Sequence, residues 1–119
     1  MLENNFAISE LQRKLANIVR IGVVKEIDYE KAKVRVKIGD IVTDYLPWIT
    51  SKVGKDRDWS PPDIDEQVVV FSPLGELSLG VVLAGIYQEK YPASENKKEI
   101  NSIKFQDGVC RRDTKNDQK

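Results

Sequence analysis

An all-β fold, one small barrel behind a short amphipathic helix, is what this sequence predicts, and three observations predict it. The hydrophobic period is helical only near the start of the chain. From Val19 it changes to two, and the alternating segments that follow are separated by glycine, proline and aspartate turn signals. The chain has 119 residues, of which 40% are hydrophobic. A chain of that size buries about 65% of the surface its unfolded form exposes, enough for one core and not for two.

The helix is read from Phe6 to Val19, where Ile8, Leu11, Leu15 and Ile18 recur at steps of three and four and so share one face. Ser9 and Gln12 have the spacing of a capping box, and Asn4 or Asn5 could equally cap a longer helix. Four apolar side chains at ~1.5–3 kcal/mol each do not outweigh the ~1–2 kcal/mol per residue that ordering a backbone costs. The stripe must therefore dock on its own barrel, on copies of itself or on a partner. Two heptads are few for a self-sufficient coiled coil.

After the helix, Val23 to Asp28 alternates as a first strand, Asp28-Tyr29-Glu30-Lys31 makes a turn, and Val34-Arg35-Val36-Lys37-Ile38 alternates with one wet face. Gly39-Asp40 turns the chain into a third strand, Ile41 to Trp48, with Pro47 at its edge or end. A long connection, Ile49 to Asp65, carries charges of both signs and is stiffened by Pro61-Pro62; connections of this length are often functional. Val68 to Phe71 reads as a fourth strand and Ser72-Pro73-Leu74-Gly75 as a turn. Leu77 to Tyr87 reads as a fifth strand bent at Gly80 and Gly85. Five strands with one long loop between the third and fourth match a five-stranded Greek-key barrel of the OB type, although the count equally suits an SH3-like barrel. Residues 1–18 form the helix, residues 19–90 the barrel and residues 91–119 a polar C-terminal tail. In that tail Ile103-Lys104-Phe105 could begin another strand, Asp107-Gly108 is a turn signal, and Arg111 to Lys119, without an apolar residue, is expected to be disordered.

Composition bounds the chemistry. Lys plus Arg and Asp plus Glu are both 19, so no overall basic field draws the chain to nucleic acid. There is no histidine and one cysteine, Cys110, so the commonest general base, the usual zinc ligand sets and an internal disulfide are all out of reach. No apolar run approaches the ~20 residues of a membrane-spanning helix, and no secretory leader is read at Met1.

Candidate sites have plain alternatives. Asp63, Asp65 and Glu66 could divide acid and base roles, but beside a double proline they read as solvated turn residues. Gly54-Lys55 lacks both the earlier glycine and the hydroxyl residue of a phosphate-binding loop, since Ile49 and Asp56 stand there. Trp48, Trp59, Tyr45 and Tyr29 could stack the bases of single-stranded nucleic acid or a sugar. Asp44, Asp56 and Asp58 match the neighbouring cations, however, and tryptophans at a barrel rim or protein interface are the better reading.

The segments Ile18-Val19-Arg20-Ile21-Gly22-Val23-Val24, Asp44-Tyr45-Leu46-Pro47-Trp48, Trp59-Ser60-Pro61-Pro62, Gly75-Glu76-Leu77 and Leu83-Ala84-Gly85-Ile86-Tyr87 resemble, in order, the baseplate assembly protein V family of contractile-tailed phages. The likeness spans about residues 8 to 108. It implies an N-terminal helix and OB barrel ahead of a triple-stranded β-helical spike, related to the spike proteins of type VI secretion systems. The implied role is a non-enzymatic structural collar linking the tail hub to the membrane-piercing spike, with no catalytic residue to transfer; for this chain no metal, cofactor or small-molecule substrate is expected.

On this reading the partners are the tail hub and other baseplate proteins, and the chain resides in the virion tail baseplate after assembly in the host cytoplasm. Phe105-Gln106-Asp107-Gly108 resembles the point where the family's chain enters the spike shaft. The chain departs from the family beyond it: the tail is charged and stops at Lys119, and the histidine pair that holds iron at the tip has no counterpart. A truncated gene or a prophage remnant would explain this, and a monomer or weak, concentration-dependent trimer is expected. The interfacial residues are then Ile8, Leu11, Leu15 and Ile18 on the helix and Trp48 and Trp59 at the barrel rim. The rival reading is an OB module binding single-stranded nucleic acid or oligosaccharide; an effector-bearing secretion spike would need a further domain after residue 119.

Overall fold

In the computed structural model, which describes residues 2–113, the helix α1 (Leu2–Asn17) begins about a turn before Phe6 and stops before Ile18. Ser9 is thus in mid-helix and caps nothing. The run Ile18-Val19-Arg20-Ile21 is rich in β-branched side chains, which crowd a helix and suit a pleated strand. Accordingly Val19 opens β1 (Val19–Asp28), while the Ile18 amide donates to the Leu15 carbonyl at 3.3 Å. Ile18 therefore sits at the junction and not on the helix. The buried Asn17 fixes this corner by accepting a 3.0 Å hydrogen bond from Arg20.

β1 pairs with β2 (Lys33–Ile38) and, on its other side, with β5 (Gln67–Phe71); β5 pairs with β6 (Val81–Ile86), all antiparallel. The register shifts between Val24 and Glu26, leaving Lys25 as the extra residue of a bulge. That shift exchanges the faces of β1, so Val24 lies in the core and Ile27, three residues on, packs against it.

The expected third strand is split into β3 (Ile41–Val42) and β4 (Leu46–Pro47), both paired with β2. Thr43 causes the break. Its buried hydroxyl accepts the Val36 amide at 3.0 Å in place of a backbone carbonyl and donates to the Asp44 carbonyl at 2.8 Å, while the Thr43 amide still donates to the Val36 carbonyl at 2.9 Å. The expected fifth strand also starts late, because Pro73–Gly75 and Leu77–Leu79 form two 3-10 turns and the strand begins only at Val81.

The main antiparallel path runs β3-β2-β1-β5-β6. Its two ends are drawn together where Trp48 bridges Val82 in parallel and the Ile49 amide donates to the Val82 carbonyl at 2.7 Å. This gives the small OB-like all-β domain expected from the strand pattern. Val24, Val34, Val36, Ile38, Leu46, Val68, Val70 and Val82 fill the interior, with Trp48, Leu77 and Ala84 packed against them.

The chain divides into two units, Met1–Ile86 and Tyr87–Lys119. In the second, β7 (Ile100–Phe105) and β8 (Gly108–Asp113) form an antiparallel hairpin about Gln106-Asp107. Arg111 to Asp113, expected without regular structure, are thus the end of a strand; the expectation for residues 114–119 lies outside the described residues.

Gly75 holds the helix to the barrel. Its φ is +74°, a region that costs other residues strain, and a Cβ there would fall on the backbone of Lys14 in α1. Gly75→Ala is expected to lower the unfolding free energy in urea by about 2 kcal/mol or more, from strain plus overpacking, and to speed amide exchange in α1. Gly39→Ala is the comparison: φ is +60° but the space beside it is open. It is expected to cost only the strain, about 1–2 kcal/mol.

Candidate assembly surfaces

The helix lies against the barrel by its polar side. Contacts of α1 run to the Pro73–Gly75 turn and to β1, and along α1 the less exposed residues are Glu10, Lys14 and Asn17. These recur at helical steps of four and three, so they define the inward face. The apolar residues point elsewhere: Ile8 is 53%, Leu11 60% and Leu15 66% exposed, with Phe6 also exposed and Ile18 at 41% just beyond the helix. Of the alternatives for this stripe, docking on its own barrel is therefore removed for Ile8, Leu11 and Leu15. Glu10 and Arg13 pair at 3.1 Å on the same helix. The hydrogen bond and charge of Arg13 hold the Glu10 carboxyl below its ordinary pKa, and Glu10 raises that of Arg13 in return.

Trp48 and Trp59 are in contact just beyond β4. Trp48, at the end of β4, is half-buried against the core, and Trp59 is 60% exposed; their ring centroids lie 5.5 Å apart at 54°. Together with Lys31, Pro47, Lys52 and Arg57 they line a cavity of about 470 Å³. Of the six residues read from the sequence, Ile8, Leu11, Leu15 and Ile18 are exposed on the helix or at its end, and Trp48 and Trp59 stand together at the cavity.

The cavity wall is a miniature hairpin within the long connection. Val53 bridges Arg57, the Gly54 amide donates to the Asp56 carbonyl at 3.1 Å, and the Asp58 amide donates to the Lys52 carbonyl at 3.0 Å. Arg57 Nε donates to the Gly54 carbonyl at 3.0 Å, and Ser51 donates to the Asp58 carboxylate. These are backbone and local polar bonds, which leave no hydrophobic period to read.

No four-aromatic platform is assembled. Among the described residues no ring contact joins Tyr29 or Tyr45 to the tryptophans. Tyr45 instead donates its hydroxyl to Glu26 at 2.9 Å beneath Arg35, whose guanidinium lies 5.9 Å from the Tyr45 ring centroid. The bond to Glu26 raises the Tyr45 pKa, with burial and the Glu26 charge acting the same way, so the hydroxyl stays protonated near neutral pH.

Asp63, Asp65 and Glu66 close the connection. Glu66 Oε1 accepts the Asp63 amide at 3.2 Å, Asp65 lies 3.5 Å from Lys25 on the β1 bulge, and the Asp65 amide and Glu66 carbonyl bond to Val24. They strap the loop to β1. Among the described residues no group of acidic or cysteine side chains is placed to hold a metal ion, and no helix is long and apolar enough to cross a membrane.

The architecture is that of an OB-type barrel domain carrying one external helix. More specifically, the chain belongs to the type VI secretion system/phage-baseplate injector OB domain family, whose model matches residues 20–87. It is also similar to the spike protein of Escherichia phage P2, with 38% identity over 102 residues. That match covers 86% of this chain and 48% of the relative, so the chain spans about half the relative's length.

Burial raises the Glu66 pKa by penalising the charged form; the Asp63 amide works against this and the Asp63 charge adds to it. The native state then holds the proton more tightly than the unfolded chain. The contribution of Glu66 to stability accordingly falls as pH rises from the ordinary carboxylate value through the raised native one. Glu66→Gln is expected to remove that slope, so the stability difference between native chain and variant shifts in favour of the variant as urea unfolding is followed from about pH 4 to pH 7.

Proposed function

We propose that this chain is a non-enzymatic structural component of a contractile phage tail baseplate, a barrel collar that links the tail hub to the membrane-piercing spike. The outward apolar stripe of α1 carries this reading beyond family membership. A helix that turns Ile8, Leu11 and Leu15 away from its own barrel keeps them for another protein surface, where large apolar side chains dominate binding energy. The mechanism is mechanical: a closed barrel with a valine-rich interior resists deformation, and load passes through packed interfaces to a spike.

The tail hub and other baseplate proteins are the partners on this reading, the tail baseplate of the virion is the site, and assembly takes place in the host cytoplasm. Alone, the chain is a monomer or a weak, concentration-dependent trimer.

Leu11 and Leu15 are exposed, so a Leu11→Glu/Leu15→Glu variant is expected to melt within a few degrees of the native chain, each change being worth about ±0.5 kcal/mol. In a complementation assay with a phage lacking its own copy, the same variant is expected to give no infectious particles. Normal plaque numbers from this variant would contradict the proposal.

A further inference from the structure

We infer that the cavity between Trp48 and Trp59 receives a short segment of a partner protein in which apolar side chains alternate with carboxylates. The inference rests on the assembly reading and specifies the chemistry of one contact. A volume of about 470 Å³ falls in the range that holds a small ligand or a few residues of peptide. The two indole rings, in contact with each other at 54°, form one apolar wall of the cavity against which a planar or branched apolar side chain packs. Trp48 is fixed by the core behind it and by the bridge to Val82, so that wall is held in place before anything binds.

Charge decides the rest of the ligand. Lys31, Lys52 and Arg57 line the cavity against one carboxylate, Asp58, which already accepts a hydrogen bond from Ser51. Arg57 is oriented by its bond to the Gly54 carbonyl, and among the described residues Lys52 pairs with Asp56 at 3.6 Å, a pair so exposed that it contributes little. The cavity is thus apolar at its walls and cationic at its rim, the complement of an apolar residue flanked by Asp or Glu. A nucleic-acid strand fits less well. Backbone tracking needs an uninterrupted row of cations, and here Asp56 and Asp58 alternate with Lys52, Lys55 and Arg57 in a chain of zero net charge.

The chain has two tryptophans, and both line the cavity, so intrinsic fluorescence reads this site directly. The probe is a tryptophan-free hexapeptide alternating aspartate with phenylalanine and leucine; the comparisons are its lysine-substituted counterpart, an oligothymidylate and a neutral oligosaccharide. The acidic peptide is expected to change the emission saturably with a Kd of about 1 mM or below, and the lysine peptide to bind at least about threefold more weakly. Lys31→Glu/Lys52→Glu, which leaves Arg57 and its loop bond in place, is expected to reverse that preference at an unchanged melting temperature. No saturable response to the acidic peptide, equal response to both peptides, an unreversed preference in the variant, or tighter binding of the oligothymidylate or the sugar would each overturn the inference. Failure here with continued loss of infectivity in the Leu11→Glu/Leu15→Glu variant would remove the peptide site and leave the baseplate role standing.

Discussion

One contact closes the barrel, and the rest of the structure depends on it. Trp48 bridges Val82, and the Ile49 amide reaches the Val82 carbonyl at 2.7 Å, tying the chain just after β4 to β6, the last strand of the sheet. Without that tie the path from β3 to β6 is an open sheet with two long edges, and its valines would line a trough. With it, Val82 is fully buried and Trp48 is held half in the core and half at the rim. The same residue therefore has two sides: one seals the interior, and the other forms a fixed wall of the cavity.

A second constraint acts through backbone. The Pro73–Gly75 turn passes so close to Lys14 that a glycine is needed there, and this approach sets which side of α1 faces inward. Because Glu10, Lys14 and Asn17 occupy that side, the leucines and isoleucine of the helix are turned to the outside. The exposed apolar residues thus stand on an external helix and the buried valines in the barrel, and the two sets can be altered independently.

Much of this was legible in the sequence. The period of three and four located α1, clean alternation located β2, and a short apolar run located β5. Three features were not legible, each for a physical reason. Thr43 is a good strand former, so nothing in its type announces that its hydroxyl will stand in for a backbone carbonyl and split the third strand. The bulge at Lys25 is set by pairing with β2 and not by local composition. Leu77-Ser78-Leu79 alternates like a strand yet is wound into a 3-10 turn by the left-handed Leu74 and Gly75 just before it. At the candidate surfaces, residue types named the apolar stripe and the tryptophan pair. The direction of the stripe and the hairpin from Val53 to Arg57 depend on backbone contacts between distant segments, which periodicity does not encode.

Closure is tested most directly at the Ile49 amide, measured by hydrogen exchange on the isotopically labelled chain. If the barrel is sealed as described, that amide exchanges as slowly as those of the β1–β5 ladder and shows a nuclear Overhauser contact to Val82. Exchange at the rate of an open loop, with the β1–β5 ladder still protected, would mean that the sheet does not close and that the rim has no fixed wall.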